Sequence, residues 1–270
     1  MLYEQEKQLP VLGFSIPYLQ LGCGKSLIIA FPGFGSSPLQ FEPLVPLLGN
    51  NYTLLSFFLP HHHPDFTQNI NTAVVDATIV AAMAEYKAEK CLLLGNSIGA
   101  KLCLAALIPH HKAIEKVILI APDGLTINKY YSFFTGNTLG SSLLEWALHT
   151  PNTSLNMLKM LNSMGMIDNS RHSLVAHFLK SRNRRLRVQY GWHALSTLHI
   201  DYNALFSLLS HEPLPIHLIV GQHDTIIPSK NAYTFASKIN NATVHTLNKG
   251  HQLLDSETYR LIANIILQNS

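Results

Sequence analysis

The chain has 270 residues, of which 47% are hydrophobic and 13% charged, and a formal net charge of +3. That length supports one large core with a modest insertion, and excludes two full enzymatic domains. The charge balance excludes a disordered polar chain and a nucleic-acid binder with a dominant basic surface.

Residues 1–10 alternate polar and charged side chains without an apolar run, which predicts no secretory signal and a cytoplasmic location. Residues 3–21 are compatible with an antiparallel hairpin at a sheet edge. Short apolar, β-branched runs then recur at 26–31, 52–58, 90–94, 116–121, 216–220 and 243–247. Helix-compatible stretches alternate with them, among them 71–86, 100–107, 229–239 and 256–267. That alternation predicts an α/β fold with a mostly parallel central sheet flanked by helices. The most apolar stretch, 91–109, is broken by glycines, polar residues and Lys101, so it reads as strand, tight turn and core helix, and no membrane span is expected. Cys23, Cys91 and Cys103 are an odd, widely spaced set among mostly apolar neighbours, the pattern of buried free thiols.

Between Asp123 and His211 the rhythm breaks, and only helix-compatible sequence appears, at 141–148, 154–161 and 172–187. A core of residues 1–123 and 212–270 with a helical cap insertion at 124–211 is therefore expected. The insertion carries Phe133, Phe134, Trp146 and Trp192 with four methionines, an apolar set suited either to lining a pocket or to packing the inserted helices on the core. It also carries a basic run in which Arg184 and Arg187 are candidates to bind a substrate carboxylate or phosphate; a solvated helix face is the plainer reading of such a run.

A serine hydroxyl is a poor nucleophile at neutral pH, so an enzyme that uses one must aim it, supply a base and hold donors where negative charge develops. Gly95-Asn96-Ser97-Ile98-Gly99 follows an apolar run and precedes a helical stretch, the strand–turn–helix context of a nucleophile elbow. The flanking glycines leave room where a Cβ would crowd the neighbouring strand or helix. Three adjacent histidines, His61-His62-His63, point in divergent directions on a loop and lack metal-ligand spacing, so neither a metal nor another cofactor is expected.

With the elbow in place the chain resembles the α/β-hydrolase superfamily over nearly its whole length. Phe31-Pro32-Gly33-Phe34-Gly35 follows the first strong strand, where the family places its oxyanion loop, with Pro32 at the position of the customary histidine. The resemblance implies that the backbone N–H groups of Phe34 and Ile98 donate to the oxyanion. Gly221-Gln222-His223-Asp224-Thr225-Ile226-Ile227-Pro228 resembles the acid-bearing loop, and Asn248-Lys249-Gly250-His251 stands where the family keeps its base. A triad of Ser97, His251 and Asp224 is thereby implied, with Asp123 after the preceding strand as the rival acid. The expected reaction is hydrolysis of a small-molecule carboxylic ester or thioester. Cleavage of a carbon–carbon bond or an elimination on an oxo-acid by the same triad is one alternative, and a non-catalytic ligand-binding member of the fold is another.

Overall fold

The computed structural model describes residues 4–126 and 129–268. Eight strands, β1 (Glu4–Val11), β2 (Phe14–Gly22), β3 (Ser26–Phe31), β4 (Tyr52–Phe57), β5 (Cys91–Asn96), β6 (Ile114–Ile120), β7 (Ile216–Gly221) and β8 (Ala242–Leu247), form one sheet in the order β1-β2-β4-β3-β5-β6-β7-β8. β1 and β2 pair antiparallel, as do β2 and β4, and every other pairing is parallel. The expected hairpin is present from Glu4 onward; Tyr3 lies outside the described residues. Its two-residue turn needs positive φ at both central positions. Gly13 meets this freely at 87°, and Leu12 adopts 48° with its side chain exposed.

The alternation of strand side chains divides the core into two layers. Leu27, Ile29 and Phe31 of β3 join a cluster with Leu93 and Leu119, whereas Ile28 and Ala30 face the opposite cluster with Leu92 and Ile118. Helices cover both faces, which is why the central strands read as continuous apolar runs. The first layer packs on α2 (Thr72–Glu85) and α3 (Ile98–His110); the second packs on α12 (Ser256–Leu267) and the helical turns around α1 (Val45–Leu48). Helix α3 is buried on nearly every side, with Leu102, Cys103, Leu104 and Ala106 all inaccessible, so the apolar stretch at 91–109 is β5, a turn and a core helix. No helix among the described residues is long and apolar enough to cross a membrane. All three cysteines are free, but Cys23 is exposed, because it sits in the turn between β2 and β3 and not in a core-facing run.

Between β6 and β7 the chain is helical: α4 (Lys129–Gly136), α5 (Thr138–His149), α6 (Pro151–Ser163), α7 (Asn169–Leu179), α8 (Arg182–Leu186), a π-turn at Arg187–Gly191, α9 (Trp192–Ser196) and α10 (Tyr202–His211). The stretch 172–187, expected as one helix, is broken at Lys180–Ser181. There Arg184 Nη1 and Arg185 Nη1 donate to the carbonyls of His177 and Leu179, satisfying acceptors at the end of α7 that a continuing helix would have used. After β7, α11 (Lys230–Ala236) leads into β8, and α12 closes the described chain.

Candidate active site

Ser97 stands between the end of β5 and the first turn of α3 at φ 51° and ψ −117°, a region that costs an L-residue roughly 1–3 kcal/mol and persists only where its surroundings hold it. Its N–H donates to Ile120 O at 2.8 Å, and its carbonyl accepts from Ala100 N and Asp123 N, at 3.0 and 3.1 Å. A Cβ on Gly95 would lie 2.6 Å from Ala100 Cα, and one on Gly99 only 2.1 Å from Phe31 O. Both glycines are thus demanded by backbone approach, and Gly99 brings α3 against the end of β3. On the other side of the serine, a Cβ on Gly33 would be 3.6 Å from Ser97 Cβ, so the loop after β3 crosses directly over the elbow.

The loop after β7 carries Asp224, which is 5% exposed. Its Oδ1 accepts from Ile226 N and Ile227 N, at 2.8 and 2.9 Å, and its Oδ2 accepts from His251 Nδ1 at 2.7 Å. The loop after β8 is held against this one: a Cβ on Gly221 would be 2.3 Å from Gly250 O, and His223 N donates to Lys249 O at 2.9 Å. Lys249 Nζ in turn ion-pairs with Asp255 and Glu257 at the start of α12, at 2.8 and 2.6 Å.

Ser97, Asp224 and His251 therefore follow the carboxyl ends of β5, β7 and β8 in one sheet, and a family model described as alpha/beta hydrolase fold matches residues 26–258. The chain belongs to the α/β-hydrolase fold family. This α/β-hydrolase-fold protein is 20% identical over 255 residues to an uncharacterized hydrolase of Bacillus subtilis (strain 168), YugF, an alignment covering 90% of this chain and 89% of the relative. Among solved structures it is similar to MGS-M2, an α/β hydrolase enzyme from a Medee basin deep-sea metagenome library, with a TM-score of 0.72 and 15% identity over 98% of each chain. It is also similar to 2-hydroxy-6-oxo-6-phenylhexa-2,4-dienoate hydrolase (BphD) from Rhodococcus sp. strain RHA1, with a TM-score of 0.67 and 17% identity over 99% of this chain and 98% of the other. At these identities the structural likeness speaks for the fold alone.

Among the described residues the Ser97 hydroxyl has no hydrogen bond, to His251 or to any other group. Asp123 is related to both sides of the site. Its N–H holds the Ser97 carbonyl, and its carboxyl lies within electrostatic reach of both His251 and Lys101. Burial raises the Asp123 carboxyl, while the Gly124 N–H at 2.9 Å, Lys101 and His251 pull the other way. It makes no hydrogen bond to the imidazole; Asp224 occupies that nitrogen.

Phe34 and Ile98 flank the serine with unused donors. Ile98 opens α3, so its N–H has no partner within the helix, and among the described residues Phe34 N–H is unpaired as well. The Phe34 ring sits between Trp192, Phe178 and His62, with centroid separations of 6.3, 5.7 and 4.8 Å. Of the side chains expected to line a pocket, Trp192 is thus brought against the loop after β3. Phe133 and Phe134 pack on one another at 5.2 Å. Trp146 lies on an exposed face of α5 with Leu139 and Leu143. Arg184 is engaged at the end of α7, whereas the Arg187 charge reaches His62.

Sequence reasoning passed over two residues here, Phe178 and His62. Phe178 came without a signal, being one aromatic of a helical run. For His62 a signal existed: Pro32 replaces the residue that customarily supports the oxyanion loop, so another support was needed. The three adjacent histidines face three different partners: His61 packs on Tyr190, His62 meets the loop after β3, and His63 bonds Glu6.

Proposed function

We propose that this chain is a serine hydrolase that cleaves a small carboxylic ester or thioester through an acyl-enzyme. The observation that carries the reading is the conjunction of a serine at strained, positive φ between two obligatory glycines with an imidazole whose Nδ1 is held at 2.7 Å by a buried aspartate. With Nδ1–H donated to Asp224, Nε2 of His251 is left with a lone pair and acts as base. It takes the Ser97 Oγ proton as the oxygen bonds to the carbonyl carbon. The carbonyl oxygen gains charge, which Phe34 N–H and Ile98 N–H stabilise. Collapse breaks the bond to the leaving alkoxide or thiolate, which receives the proton from His251. Water, deprotonated by the same nitrogen, then attacks the acyl-serine, and the second collapse releases the carboxylic acid as Ser97 Oγ takes the proton back from His251. The helices between β6 and β7 serve as a cap that shapes the acyl pocket, with Phe178 and Trp192 packed against the oxyanion loop.

Labelling by a fluorophosphonate probe tests this. The wild-type protein should label and hydrolyse p-nitrophenyl esters, and Ser97→Ala should do neither while keeping its melting temperature. A wild-type chain that resists the probe would return it to the ligand-binding reading. The likeness to BphD supports a second reading, carbon–carbon bond hydrolysis of a vinylogous oxo-acid. Turnover of such a diketone in preference to the esters would select it.

A further inference from the structure

We propose that His62 is a positioning residue for the oxyanion loop, holding the Phe34–Gly35 peptide so that the Phe34 N–H stays aimed at the developing charge. The inference rests on the reading of Phe34 as an oxyanion donor. Gly35 N donates to His62 Nε2 at 2.7 Å, and His62 Nδ1 lies 2.9 Å from Pro60 O. A backbone N–H can only donate and a backbone carbonyl can only accept, so one species alone satisfies both contacts: the neutral ring with its proton on Nδ1. The surroundings enforce it. Burial, opposed by the Pro60 carbonyl and aided by Arg187 and His61, holds His62 down at about 4, so the acceptor nitrogen stays bare at neutral pH.

The ring is itself fixed. His62 N donates to Leu59 O at 3.0 Å, and the turn that carries it closes through His61 N to Phe66 O at 2.7 Å. Phe66 is fully buried, so the turn is nailed to the core. The loop that His62 supports is built from permissive residues. Gly33 and Gly35 bracket Phe34, and Gly35 sits at φ +80°. Left alone, such a loop would sample several orientations of the peptide planes on either side of Phe34. Two contacts from His62 prevent that: the hydrogen bond to Gly35 N–H fixes the plane after Phe34, and the ring packs edge-on against the Phe34 side chain at 4.8 Å. The proline at position 32 has no side chain able to do this from within the loop, and the support comes from the turn after β4 instead.

Kinetics of His62→Leu, His62→Gln and the wild type on one p-nitrophenyl ester, with melting temperatures and fluorophosphonate labelling rates, decide the matter. In His62→Leu, kcat and the labelling rate should fall together, on the order of 10- to 100-fold, with KM changed less than about threefold, since a misaimed donor is lost chiefly in the transition state. His62→Gln, whose amide oxygen reaches Gly35 N–H, should recover most of that loss. An active wild type with unchanged kcat in His62→Leu would overturn this inference and leave the serine hydrolase standing. A KM rise that tracks a lowered melting temperature, without rescue by glutamine, would also overturn it, as a merely structural role. A wild type that neither labels nor turns over would remove the inference together with the reading on which it rests.

Discussion

His251 Nδ1 donates to Asp224 Oδ2 at 2.7 Å while the other oxygen of the same carboxylate is occupied by the N–H groups of Ile226 and Ile227. The acid is therefore oriented by its own loop before it orients the histidine. Asp224→Asn can keep its amide oxygen on the two backbone donors, which turns the amide NH2 toward His251 and forces the imidazole into the tautomer that carries its proton on Nε2. That nitrogen can then no longer accept the serine proton. Esterase kcat should drop roughly 10³- to 10⁴-fold with the fold intact, whereas Asp123→Asn, which has no bond to the imidazole, should lose about tenfold or less. A larger loss in Asp123→Asn than in Asp224→Asn would exchange their roles.

Two glycines in helical segments make opposite demands. The Cβ of Gly99→Ala would fall 2.1 Å from Phe31 O, backbone against backbone, so α3 must move away from the sheet, at a cost of about 3 kcal/mol or more. Gly136, the last residue of α4, has nothing within 4 Å of the added atom. Gly136→Ala should be neutral or stabilising by about 0.5–1 kcal/mol through helix propensity. Urea unfolding midpoints distinguish the two; a Gly99→Ala midpoint equal to wild type would mean that the elbow is not packed as described.

The parts of this protein legible in its sequence are those whose signal is local. Six core strands, the elbow glycines and the Gly-His pair before the last helix each carry a pattern within a few residues, even where, as at Gly99, the backbone that demands the glycine belongs to a distant segment. What escaped depends on contacts between distant segments. Nothing near Lys180 marks the end of α7; the break is stabilised when Arg184 and Arg185 fold back on its carbonyls. Nothing in the sequence separates His62 from its two neighbouring histidines, because its partner, Gly35, lies 27 residues earlier. Cys23, expected among buried thiols, is exposed because the glycines on either side of it form a turn that faces solvent.

Acid should loosen the fold through histidines kept neutral. His217 and His245, on adjacent strands β7 and β8, share a 3.1 Å hydrogen bond between ring nitrogens. Burial, with His245 and Lys116 adding to it, lowers His217 to about 4; burial also lowers His245. An unfolded histidine titrates near 6.5, so between about 6.5 and 4 the unfolded chain binds protons that the folded chain refuses, and stability falls as pH falls through that window. Asp255, held down at about 2 chiefly by its hydrogen bond to Lys249, has the same sign but acts only below about 4. The unfolding midpoint should be flat from pH 7 to 8 and decline from 6.5 to 4, and His217→Phe should flatten part of that decline. An unchanged slope in the variant would assign the effect elsewhere.

The basic run separates into arginines with different tasks. Arg184 Nη1 is spent on His177 O at 3.2 Å, and it closes α7. Arg187, at the start of the π-turn, is close enough to His62 for its charge to help keep that ring neutral, which places it beside the turn that supports the loop after β3. A substrate carboxylate or phosphate near that loop would thus find Arg187 first. Arg187→Ala should raise KM for an anionic ester about tenfold relative to a neutral ester of equal acyl length, the size of one lost charge-assisted hydrogen bond. Arg184→Ala should treat both esters alike and show its effect in the melting temperature. Equal effects of Arg187→Ala on the two esters would assign that side chain to solvent and leave substrate charge unread by this protein.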